Sequence, residues 1–155
     1  MLIKERDVNL KIRDKRIQLG ISEAEVSKIC SMTESEYRDI EDYNDELFMV
    51  VPLRKVACLC NSLGITLEEL YGYSSHNTLF PQDVISRRLQ EKKMTILELS
   101  DLVGIEESYI EATAHDIMNI GDWVVYPIMT LSEKLGVSLG AILESYFRYY
   151  QANKS

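Results

Sequence analysis

Apolar residues recur every three or four positions along this chain, and no stretch keeps the two-residue alternation of a half-buried strand. The pattern predicts an all-α protein. Val8, Leu10, Ile12 and Ile17 give an amphipathic first helix that ends near Gly20. Ser22 reads as the N-cap of a second helix. Glu25 lies three residues on, the spacing of a capping box, and Val26, Ile29 and Cys30 form its apolar stripe. After a turn at Ser31-Met32, Thr33 and Glu36 repeat the cap, and Tyr37 and Ile40 point inward. Leu53, Val56, Ala57, Cys60 and Leu63 are the inner stripe of a fourth helix that stops at Gly64. Thr66 caps a short fifth helix carrying Leu67, Leu70 and Tyr71.

The pattern then repeats. IQLGISEAEVSKIC and LCNSLGITLEELYG in the first half answer to EKKMTILELSDLVG and LSEKLGVSLGAILES in the second. Gly64 and Gly136 are 72 apart, whereas Ile21 and Met94 are 73 apart, so one indel separates the copies. The second copy has Val84, Ile85 and Leu89, then Thr95 as a cap, and Leu97, Leu99 and Leu102 in its second helix. Gly104 is at its turn, with Tyr109 and Ile110 in the third helix. Ile128, Leu131 and Leu135 lie in the fourth, and Ser138 caps a long last helix. Two tandem five-helix units are expected, over 1–74 and 83–155, joined by a polar linker at 75–82.

These pieces resemble the Cro and lambda-repressor type of helix-turn-helix, the XRE family. The resemblance covers most of residues 8–73 and 82–145. It implies that the second and third helices form the motif, with the third entering the DNA major groove. Both copies depart from the family where DNA would be touched. Its phosphate-holding glutamine is Glu23 in one copy and Ile96 in the other. The third helices open with Thr33-Glu34-Ser35-Glu36 and Glu106-Glu107-Ser108-Tyr109. The glutamate that often supports the motif is kept as Glu41 and lost at Ala114.

Charge sharpens the departure. Residues 33–44 hold Glu34, Glu36, Asp39, Glu41 and Asp42 against Arg38, a net of -4. Residues 106–119 hold Glu106, Glu107, Glu111 and Asp116 with no Lys or Arg, again -4. Together they account for the chain's formal net charge of -8. Carboxylates in a recognition helix would face rows of phosphates, which disfavours DNA as the partner. Lys11, Arg13, Lys15 and Arg16, and Arg87, Arg88, Lys92 and Lys93, read as solvated helix faces, with a phosphate-contacting flank as the alternative.

No motif assembles a catalytic site. Cys30, Cys58 and Cys60 read as small buried thiols in a reducing compartment, and His76 and His115 lie far apart, so neither a metal nor a cofactor is expected. No apolar run approaches a membrane span, and the opening MLIKERDVNLKIRDKR is too charged for a signal peptide, so a cytoplasmic location is expected. The expected function is a non-enzymatic, acidic protein-binding module on a repurposed helix-turn-helix scaffold. Its partner would be a basic protein such as a nuclease toxin, and its role that of an immunity protein or antitoxin. Glu34, Glu36, Asp39, Asp42, Glu106, Glu107, Glu111 and Asp116 are the expected contacts. Trp123, Tyr146, Tyr149 and Tyr150 offer an alternative partner or homodimer surface. A DNA-binding transcriptional regulator of bacterial or phage origin is the alternative function.

Overall fold

A computed structural model of the chain describes residues 7–73 and 83–153; the expected linker at 75–82 lies outside the described residues. Among these, all regular elements are helical. The first half contains α1 (Val8–Leu19), α2 (Glu23–Ile29), α3 (Glu34–Asp42), α4 (Glu46–Met49), α5 (Leu53–Leu63) and α6 (Leu67–Tyr71). The second contains α7 (Val84–Lys92), α8 (Ile96–Val103), α9 (Glu107–His115), a 3-10 helix (Ile117–Asp122), α10 (Val125–Leu135) and α11 (Leu139–Asn153). Each half therefore has one more short helical turn than expected, between its third helix and the long core helix.

The caps explain the boundaries. Ser22 and Thr33 each accept a hydrogen bond from the amide three residues on, and Glu25 and Glu36 reach back to the cap amides. Thr66 and Thr95 cap α6 and α8 through their hydroxyls. Ala141 N donates to Ser138 Oγ at 3.3 Å at the start of α11.

One contiguous apolar cluster draws on both halves. The inner stripe of α5 is buried as expected, as are Ile128, Leu131 and Leu135 of α10. The first helix differs from expectation. Val8 and Ile12 are buried, but Ile17 is 59% exposed, because the neighbouring Arg16 takes the inward place. Ile29, Leu97 and Leu102 are also exposed, and their helices bury Val26, Cys30 and Leu99 instead.

The halves meet at Pro52 and Val124, which form an isolated antiparallel bridge. Leu53 N donates to Trp123 O at 2.8 Å beside it. Pro52 and Val124 are 72 residues apart, the offset of the repeat over this stretch, so counterpart residues touch. An antiparallel contact between counterparts relates the halves by a local two-fold. The packing agrees: α4 lies on α10, and its counterpart, the 3-10 helix, lies on α5. Arg54 and Asp122 form an ion pair across the same junction at 2.5 Å. The symmetry is broken at the end. α6 has 5 residues and α11 has 15, and the longer helix packs over α5 and α6.

Candidate interaction surface

Most of the acids expected at a partner surface are exposed. Glu34, Glu36 and Asp42 on α3 face solvent, as do Glu106, Glu107 and Glu111 at α9. Asp39 is half-buried. Glu36 is also committed to its cap: its Oε2 accepts from Thr33 N at 2.6 Å, and that backbone bond, helped by Lys55, holds its carboxyl below the usual range. Asp116 is half-buried at the end of α9, where its Oδ1 accepts from Met118 N at 3.0 Å and caps the 3-10 helix. It serves the fold rather than a free face.

Glu41 leaves the surface altogether. It is 5% exposed and accepts two bonds from Arg16, at 2.6 and 3.2 Å. Tyr37 Oη donates to it at 2.9 Å, and Arg16 Nη1 also donates to Ile21 O at 3.0 Å. The hydrogen bond to Glu41 raises the guanidinium's pKa, and burial raises that of the Tyr37 hydroxyl. Arg16 is thus a structural ligand, not part of a solvated basic face. Arg88 is committed as well, donating to Leu135 O at 3.1 Å and Gly136 O at 2.8 Å at the end of α10. Lys11 Nζ donates to Glu69 O at 3.0 Å. Arg38 lies against Glu23 at 3.4 Å, so the one base of α3 is matched by the acid opening α2.

The aromatic surface expected from Trp123 and Tyr146 does not form. Trp123 is 3% exposed, and its Nε1 donates to Thr113 Oγ1 at 3.1 Å. It is held at the junction of the halves, where an indole gains most from burial with its polar end satisfied. Tyr146 is 2% exposed and covers Gly121. Tyr149 and Tyr150 are half-buried against the core. Tyr150 stands beside Cys58 of α5, and burial pushes its hydroxyl up to about 12. The extra turns of α11 therefore cover the first half instead of presenting a face.

Two grooves border the acidic helices. One has an apolar floor of Met32, Ile40, Val51 and Pro52. Glu36, Asp39, Glu46 and Lys55 also line it. The other contains Ile105, Glu106, Tyr109, Trp123 and Val124. Pro52 and Val124 place the two grooves on either side of the bridge. Asp122 of the second groove is already paired with Arg54. Asp39 and Glu46 of the first form no ion pair among the described residues. The sequence reading missed Glu46 because it placed no element between α3 and α5.

Cys30 and Cys60 are buried and Cys58 is half-buried, all without a disulfide. The Sγ atoms of Cys30 and Cys58 both lie about Ser62 Oγ, at 3.9 and 4.0 Å. No group of three or more His, Cys, Asp or Glu among the described residues is arranged to hold a metal ion. No described helix is long and apolar enough to cross a membrane. No family model, curated protein or solved structure matches this chain.

Proposed function

We propose that this chain is a non-enzymatic protein-binding module, built on two helix-turn-helix-like halves, that captures a basic protein. A nuclease toxin is the partner class the charge suits, with the chain acting as its immunity protein or antitoxin. The observation that carries this reading is the exposure of Glu34, Asp42, Glu106, Glu107 and Glu111 on the third helices of both halves. Such a face repels phosphate and attracts the basic cleft with which a nuclease holds nucleic acid. Internal commitment of Arg16 and Arg88 supports the same reading, since it removes two bases from any phosphate-contacting flank.

A DNA-binding regulator is the second reading. The local two-fold at Pro52–Val124 favours it, because paired helix-turn-helix units read DNA about a two-fold. Replacing Glu34, Glu36 and Asp39 together by Lys separates the two. Capture of a basic nuclease domain that the chain binds should weaken, mainly through a slower association at low salt. Under the regulator reading, duplex DNA binding in a gel shift should strengthen. Unchanged capture would sink the protein-binding reading.

A further inference from the structure

The groove between α3 and α5 has a feature that the acidic helices alone do not. Its floor is apolar, made by Met32, Ile40, Val51 and Pro52, and its open volume is about 110 Å³. Small-molecule sites run to roughly 300–1,000 Å³, so this groove has room for one side chain rather than a cofactor. Beside the floor stand Asp39 and Glu46, on two different helices and without cationic partners among the described residues. Val50, at the mouth, is 58% exposed.

We propose that this groove seats one arginine side chain from a basic segment of the partner, its methylenes on the apolar floor and its guanidinium between Asp39 and Glu46. The inference rests on the protein-binding reading above and names where that binding is centred. Charge complementarity selects the occupant. A long cationic side chain buries its stem on apolar surface while its head meets carboxylates. Arginine suits the site better than lysine because its planar, weakly hydrated head donates in several directions at once. A purely apolar ligand would leave both carboxylates facing it without compensation. The state of Glu46 fits an unfilled cation seat: burial, then Asp39 and Asp45, raise its pKa above the usual carboxyl value. Lys55, which also lines the groove, forms no ion pair with Asp39 or Glu46 among the described residues, and its charge acts on Glu36.

The test titrates the full chain with hexa-arginine and hexa-citrulline peptides at low salt, following side-chain methyl signals by NMR. Citrulline keeps the shape of arginine and removes its charge. Hexa-arginine should shift the methyls of Met32, Ile40 and Val51, and hexa-citrulline should not. The D39N/E46Q variant should lose about tenfold in affinity, and D101N/E133Q, at two exposed acids away from both the groove and the third helices, less than about twofold. Thermal melting checks that the first variant folds, and E46Q alone serves as a milder version. If hexa-arginine binds but shifts α9 alone, and D39N/E46Q binds as the parent does, the groove assignment falls while the acidic-module reading stands. If hexa-arginine fails to bind at all, both fall. Groove shifts that grow with protein concentration in the absence of peptide would show a second copy as the occupant and overturn the assignment.

Discussion

The two halves fill the same place with opposite chemistry. In the first, α1 presents Arg16 to Glu41 of α3, and Tyr37 completes the set. In the second, the residues 73 positions on are Leu89, Ala114 and Ile110, all buried in the apolar cluster. A charged triad and an apolar triad thus support the same helix arrangement. The lesson is that this arrangement requires the space between the first and third helices to be filled, not that it requires an ion pair. A buried pair gives back in Coulomb energy and hydrogen bonds about what it loses in hydration, so an apolar replacement of matching volume is an even exchange.

The largest expected effect comes from breaking that equivalence on one side only. Glu41→Ala takes the acceptor from the buried Tyr37 hydroxyl and leaves the half-buried Arg16 guanidinium with only Ile21 O and, at 4.0 Å, Glu23, and it should cost about 2–4 kcal/mol in urea unfolding. Importing the other half's chemistry, as R16L/Y37F/E41A, should recover most of the loss, because the buried Tyr37 hydroxyl and the Glu41 carboxylate are removed together with the guanidinium, and only the part-buried Ile21 O loses a donor. A triple variant as unstable as E41A would show that the first half depends on its ion pair.

A second contrast lies at the junction. Met49 is 51% exposed, whereas Gly121, its counterpart 72 residues on, lies beneath Tyr146. A Cβ at Gly121 would meet Tyr146 Oη at 2.5 Å and ring carbons at 2.9 Å. The ring is packed in the core, so it has little room to retreat. Gly121→Ala should therefore cost about 1–3 kcal/mol, as overpacking does. Adding Tyr146→Phe removes the nearest atom and should return part of it. A neutral G121A would mean that α11 is free to lift from the 3-10 helix.

Much of this was legible from the chain. The starts of α2, α3, α6, α8 and α11 follow from local capping chemistry, which reads within four residues. The inner stripe of α5 followed from a period of three and four on one face. What escaped depends on contacts between distant segments. Arg16 looked like part of a basic surface because its partner lies 25 residues away. Trp123 looked like a loop aromatic because the backbone that packs beside it belongs to the other half. The groove was invisible for the same reason: its acids come from α3 and α4, and its floor from the turn before α3, α3 itself and the segment before α5.

The smallest expected effect concerns two turns where the halves exchange roles. After the first helix, the first half has Gly20 at φ 69° and the second has Lys93 at φ 54°. After the second helix the assignment reverses, with Ser31 at φ 55° and Gly104 at φ 73°. The left-handed conformation is thus required at four places and relieved by glycine at only two. A side chain with a Cβ is strained there, while glycine gives back some of the advantage through the greater freedom of its unfolded chain. Ser31→Gly and Lys93→Gly should therefore each stabilise by about 0.5–1 kcal/mol, and Gly104→Ser should destabilise by a similar amount. The gains should add, because the sites lie in different halves and share no partner in the hydrogen-bond network. Thermal melting of S31G, K93G and the double variant checks this. A loss of stability at Lys93→Gly would mean that the lysine stem contributes more through packing than its backbone strain costs. Non-additive gains would mean that the two turns are coupled through the shared core.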